Sequence, residues 1–139
     1  MKKLVCVLFL ASLLTAALQA QDSTGVTISV LAKGDSSWAG TLLPAYPDKQ
    51  PEITILKITI APGAALPMHR HPVINAGVVL SGELTVVTEA GQTNHLKAGE
   101  GLIEVVDRWH YGKNDGKVPV VLVVFYAGAV GQPVTLYKK

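Results

Sequence analysis

One cysteine, Cys6, stands in 139 residues, so the chain cannot close a disulfide on itself. Aromatic residues make up only 6% and charged residues 16%, against 49% hydrophobic, which excludes a disordered polyelectrolyte. Beyond the N-terminus no apolar run approaches the ~20 residues that a spanning helix needs. Several nucleotide and hydrolase signatures are missing as well. There is no Gly-x4-Gly-Lys phosphate loop and no Gly-x-Gly-x-x-Gly turn leading from a strand into a helix, and Ser36, Ser37 and Ser81 lack the context of an activated nucleophile.

What is present begins with a leader. Lys2 and Lys3 precede an apolar run from Leu4 to Leu14, and small residues ending in Ala20 lead to Gln21-Asp22. This layout predicts a secretory signal peptide over residues 1–20, cleaved after Ala20 or, alternatively, after Ala17. The remainder, 21–139, has the length of one domain with one core. Loss of Lys2 and Lys3 lowers the basic residues from twelve to ten, equal to the ten acidic ones, so the processed chain is formally neutral. That removes the case for a nucleic-acid partner. It also predicts a periplasmic or secreted protein with no membrane attachment after cleavage, and one that enters an oxidising compartment without cysteine, so that core packing must supply its stability.

From Gly25 onward apolar residues recur at every second position or in short runs bounded by Gly, Pro, Asn and Asp, the period of strands. Nine strands are expected, at 26–31, 53–61, 73–80, 83–89, 93–96, 101–105, 109–112, 118–127 and 134–137, with no helix. Ser81-Gly82, Ala90-Gly91 and Asn114-Asp115-Gly116 supply residues that accept positive φ in reversals. Pro44, Pro47 and Pro51 mark a loop that cannot be a central strand. The pattern predicts an all-β sandwich or barrel.

Two of the four histidines form His69-x-His71. On an extended backbone, residues i and i+2 face the same side with Cα atoms about 6.6 Å apart, so two imidazoles can converge on one ion at ~2.0–2.2 Å. Pro72 biases His71 toward that geometry.

The frame around this pair resembles the cupin superfamily. Gly63, His69, His71 and Gly82 fall in register with its first motif, Gly-x5-His-x-His-x3 or 4-Glu-x6-Gly, with Asn75 at the Glu position. Gly99, His110 and Asn114 match the second, Gly-x5-Pro-x-Gly-x2-His-x3-Asn, while Val105 and Asp107 replace its Pro and inner Gly. The resemblance spans residues 53–126. It implies a small antiparallel β-barrel of the jelly-roll, double-stranded β-helix type, with one divalent transition metal held by His69, His71 and His110.

Asn75 cannot neutralise a metal's charge or act as a base, though its amide oxygen can coordinate weakly or bind a metal-bound water; its other role is to satisfy backbone groups at a bulge. Three imidazoles without a carboxylate suit Fe, Zn, Cu, Ni or Mn better than Mg or Ca. Glu104 is expected to face solvent or pair with Arg70 or Arg108. In the other arrangement it enters the cavity and supplies the base or ligand that Asn75 lacks. Trp109 and Tyr111 flank His110 on the opposite face and suit the core or a subunit contact. Asn114 is expected as a turn residue, His95 as an exposed strand histidine and Met68 as packing.

The resulting expectation is an exported metal-binding barrel acting as a metal-dependent dioxygenase or isomerase on a small molecule. The alternative is a non-catalytic small-ligand-binding or sensing barrel with a structural metal or none. Apolar runs such as 118–127 exceed what one small barrel buries, which together with the resemblance predicts a homodimer.

Overall fold

The computed structural model describes residues 25–139, so the expected leader, residues 1–20, lies outside the described residues. Among these residues there are nine strands and no helix. In chain order they are β1 (Pro51–Ile60), β2 (His69–Arg70), β3 (Ile74–Ser81), β4 (Glu83–Thr88), β5 (Thr93–Lys97), β6 (Gly101–Ile103), β7 (His110–Lys113), β8 (Val120–Ala129) and β9 (Leu136–Tyr137). They form two antiparallel sheets, of order β1-β8-β3-β6 and β5-β4-β7-β2-β9.

Alternation decides which side of each strand is inside. On β8 the even positions Val120, Leu122, Val124 and Tyr126 are buried, and on β4 Leu84 and Val86 are. These side chains from the two sheets meet in one apolar cluster with Ile60, Val73, Val79, Leu96 and Leu102. The two sheets face each other as a jelly roll, without hydrogen bonds closing them into a continuous barrel. The fold is all-β, as expected.

Two backbone positions show why the turns need their residues. Gly82 links β3 to β4 at φ 76°, and a Cβ there would stand 2.7 Å from the Pro119 carbonyl oxygen, so only glycine fits. Asp107 is the only described non-glycine with positive φ, at 53°. It occupies the second motif's inner glycine position, and Asp tolerates the left-handed conformation better than most side chains.

Two strand expectations need correction. Residues 26–31 carry a strand pattern yet form no strand: Val26 is a lone bridge residue, and Val30 and Leu31 lie beside Leu96 and Gly101 without a ladder. The opposite miss is β2, only two residues long between Pro67 and Pro72, which lack the N–H that a longer ladder requires. The proline-rich stretch 44–50 is strand-free and exposed, as expected, although Pro51 itself opens β1.

Candidate metal centre

The three histidines come from two neighbouring strands and the residue just beyond one of them. His69 on β2 pairs directly with His110 on β7, and His71 follows two residues along from His69. The ring centroids lie 4.5 Å apart for His69–His110, 4.9 Å for His69–His71 and 5.0 Å for His71–His110. All three residues are buried, and one ring nitrogen from each lies within 4.8 Å of the others. That spacing can hold a single metal ion.

The outer nitrogens fix how the rings present themselves. Nδ1 of His69 lies 2.7 Å from the Pro67 carbonyl, that of His71 2.8 Å from the Val134 carbonyl and that of His110 2.8 Å from the Arg108 carbonyl. A carbonyl only accepts, so each Nδ1 carries a proton, and in the neutral ring it is Nε2 that keeps the lone pair. Burial pushes the His71 imidazole down to about 3, against the smaller upward pull of the Val134 carbonyl, and it lowers His69 in the same direction. Neutral imidazoles with oriented Nε2 lone pairs are what a transition-metal ion binds.

Asn75 is buried at 2% exposure, and its amide donates to the Val73 carbonyl at 3.3 Å, so it both serves the local backbone and lines the cavity. The backbone N–H of Glu104 donates to the Asn75 carbonyl, which sets the two residues side by side on adjacent strand paths. Glu104 neither faces solvent nor pairs with arginine. Arg70 bonds Asp107 at 3.2 Å and lies over the Trp109 ring instead. The Glu104 side chain is 7% exposed and lines the same cavity as the histidines. Its Oε1 accepts from Trp38 Nε1 at 2.7 Å and from the Val105 N–H at 2.8 Å, while its Oε2 stands 3.8 Å from His110 Nε2.

The remaining residues fall outside the centre. Trp109 and Tyr111 are half-buried and do not line the cavity; Trp109 carries Arg70 on its ring face and Lys138 nearby. Asn114 is buried in a turn role, donating to the Ile60 and Val118 carbonyls and accepting from the Gly116 N–H. His95 is exposed on β5 beside Thr85.

Two contributors carried no motif signal. Trp38 reaches Glu104 across 66 positions, and Tyr126 packs its ring 5.2 Å from that of His71. Desolvation, then the neighbouring Glu104, pushes the Tyr126 phenol up to about 12, so it stays protonated. An indole donor and a core tyrosine become recognisable only once the fold brings them to the site.

The cavity has a volume of about 50 Å³, room for on the order of three to five waters. Its walls are aliphatic, including Ile58, Leu66, Leu84 and Val124, and no lysine or arginine lines it. An outer hollow lined by Leu56, Pro67, Thr135 and Tyr137 shares His69, His71 and Tyr126 with it.

Comparison with known proteins agrees with this architecture. None of the curated proteins compared matches the chain. Among solved structures, oxalate oxidase in complex with the substrate analogue glycolate superposes with a TM-score of 0.53 at 25% identity, covering 61% of this chain and 45% of that one. The chain therefore spans about half the length of that enzyme. A conserved protein with a double-stranded β-helix domain from Klebsiella pneumoniae subsp. pneumoniae gives 0.55 at 22% identity, covering 67% and 88%. The DMSP lyase DddQ from Ruegeria pomeroyi gives 0.54 at 17% identity, covering 62% and 43%. At such identities the last two likenesses speak for the fold alone. Residues 56–126 match the Cupin_2 family, described as a cupin domain, and they contain all three histidines, Asn75 and Glu104; this chain belongs to the cupin family.

Proposed function

We propose that this chain is an exported, metal-dependent enzyme of the dioxygenase or isomerase type, acting on a small oxygen-bearing molecule in the periplasm or outside the cell. One observation carries the reading: Oε2 of Glu104, a carboxylate oxygen with no hydrogen-bond donor of its own, faces the cavity beside the three imidazoles. A purely structural carboxylate would spend both oxygens on fixed donors. Here Trp38 and the Val105 N–H hold one oxygen and leave the other directed at the centre.

His69, His71 and His110 would hold a divalent ion of Fe, Zn, Cu, Ni or Mn through Nε2. Such an ion would supply Lewis acidity and, if redox-active, oxygen chemistry. The chain's own residues do the rest. Backbone carbonyls fix the imidazole orientations, the aliphatic walls exclude bulk water, and Glu104 Oε2 accepts a proton from the bound molecule. The Tyr126 phenol remains a neutral donor beside His71. The cavity volume limits the buried part of the ligand to a few non-hydrogen atoms, and a compact oxygen-bearing molecule fits, of the size of the glycolate bound to the similar oxalate oxidase.

Open coordination is tested by loading the protein with Co²⁺ and titrating azide. A shift in the visible bands that is absent from His71→Ala supports an accessible centre, and unchanged bands contradict it. Glu104→Gln then separates catalysis from binding. On any small acid that the wild type turns over, it should keep the metal and the azide response while kcat falls by about 10²–10⁴. Unchanged kcat would favour a non-catalytic, small-ligand-binding barrel, a second reading that the small cavity volume supports.

The protein is further proposed to be a homodimer, supported by the apolar outer surface of the four-stranded sheet, where Ile53, Ile55 and Phe125 are 61%, 57% and 48% exposed.

A further inference from the structure

The space at the centre has two parts of unequal size. The inner cavity holds about 50 Å³ and the outer hollow about 220 Å³. Ile58, Leu66, His69, His71 and Tyr126 line both and form the waist between them. Two rows of side chains step through that waist. Along β1, alternation turns Leu56, Ile58 and Ile60 inward. Leu56 lines only the hollow, Ile58 both spaces and Ile60 only the cavity, and exposure falls from 37% at Leu56 to 3% at Ile60. In the other sheet, Tyr137 on β9, His69 on β2 and His110 on β7 stand in register, and they line the hollow, both spaces and the cavity in that order. The hollow is thus a path from solvent to the imidazoles.

One side of this path is built by residues 132–138, which lie beyond the stretch 56–126 that matches the family. They are tied to 67–72 at several points. The Gln132 side-chain amide donates to the Pro72 carbonyl at 3.2 Å, the Thr135 hydroxyl lies 3.3 Å from His71 Nδ1, and the Lys138 N–H donates to the Met68 carbonyl at 3.0 Å. The Lys138 ammonium pairs with Glu89. These ties fix Tyr137 over the mouth of the hollow, its ring centroid 6.3 Å from that of His69. Although it shares a face with the buried His69, Tyr137 is 65% exposed. Its ring is an apolar surface held in place with little packed against it.

The lining says what could cover that ring. No Lys, Arg, Asp or Glu among the described residues lines the hollow, so a charge entering it would lose hydration without a partner. An apolar cavity of about 150 Å³ admits benzene, so 220 Å³ takes one six-membered ring, whereas the inner cavity is too small for it. Tyr137 and Pro67 offer flat surfaces at the mouth, and a planar ring meets an aromatic one by offset or edge contact. An alkyl group of similar area would have several bonds to immobilise, which a ring does not.

We infer that the substrate is bipartite, an oxygen-bearing head of a few atoms in the inner cavity joined to an uncharged planar ring in the outer hollow, and that Tyr137 is the residue that selects the ring. This rests on the metal-dependent reading above and names its substrate class. Size fixes the orientation, since the ring cannot pass into the cavity and the head therefore points at His69, His71 and His110.

The test compares probes that share a head. On the exported protein loaded with Co²⁺, the visible bands are titrated with glycolate, with mandelate, which is glycolate bearing a phenyl ring on its α-carbon, and with 2-hydroxyhexanoate, which bears an alkyl chain there. Mandelate is expected to bind at least about tenfold more tightly than glycolate, with a smaller gain for 2-hydroxyhexanoate. In Tyr137→Ala the mandelate-to-glycolate ratio should fall to about one, and Tyr137→Phe should restore it. Equal binding of glycolate and mandelate by the wild type, or a ratio unmoved by Tyr137→Ala, overturns the ring subsite while leaving the metal-dependent reading intact. An equal gain from the alkyl chain overturns the choice of a ring. A second arm needs no metal. Saturation-transfer NMR on the chelator-treated protein should show transfer to the ring protons of benzyl alcohol, reduced at least about threefold in Tyr137→Ala and kept in Tyr137→Phe. Bands silent to all three acids, with this transfer present, would remove the metal-dependent reading and keep the ring subsite. Transfer that is absent, or indifferent to Tyr137→Ala, overturns the subsite.

Discussion

Glu104 is where the site departs most from its sequence pattern. The carboxylate missing at Asn75 is present one strand path away, held there by Trp38 and by a backbone bond to Asn75 itself. Alternation along 101–105 set Glu104 opposite Ile103 and Val105, but it could not say which of those two faces was inside. That depended on the partner strand. Trp38→Phe should keep most of the ring packing while removing one of the two donors to Oε1, so metal content stays and the pH profile of any activity moves, whereas Glu104→Gln lowers kcat itself; identical profiles would remove Trp38 from the mechanism. The imidazoles carry their own prediction. The ordinary histidine value is 6.5, and burial holds folded His71 at about 3 and His69 lower than usual, so the unfolded chain takes up protons first as pH falls. The metal-free protein should therefore lose stability progressively below about pH 6.5 and, for His71, stop losing it near pH 3, by up to a few kcal/mol. Urea unfolding in a chelator at about pH 7.5 and about pH 5 checks the sign; equal midpoints would contradict it.

Strands and turns were legible to different degrees, for reasons that can be named. β1, β3, β4 and β8 are long enough for alternation to show, and their expected bounds agree with the observed ones to within two residues. β2 was invisible because two residues between prolines have no period. Residues 26–31 have the period but form no ladder with the strands beside them, since strand pattern reports a propensity and not a pairing. The His-x-His pair was readable because it is local, whereas its junction with His110 is a cross-strand pairing that only the motif frame suggested. The motif glycines differ in a testable way. Gly82→Ala meets both positive φ and the Pro119 carbonyl at 2.7 Å, while Gly99→Ala meets only positive φ, with nothing within 4 Å. The first should cost about 2–4 kcal/mol and the second about 1 kcal/mol by chemical denaturation. Equal costs would mean that the β3–β4 turn relaxes.

At the scale of the whole molecule, two facing sheets do two jobs. The five-stranded sheet carries His69 and His110, with His71 just beyond β2, while the four-stranded sheet closes the cavity with Ile58, Leu122, Val124 and Tyr126. Shape and metal centre therefore depend on the same packing. The outer surface of the four-stranded sheet, where Ile53, Ile55 and Phe125 are exposed, lies away from the cavity. The account's central claim is that His69, His71 and His110 hold one transition-metal ion. It is tested most directly by elemental mass spectrometry of the untagged, exported protein beside the His69→Ala/His110→Ala variant. The account predicts close to one equivalent of Fe, Zn, Cu, Ni or Mn in the wild type and background in the variant. Background metal in both, even after reconstitution, would contradict it.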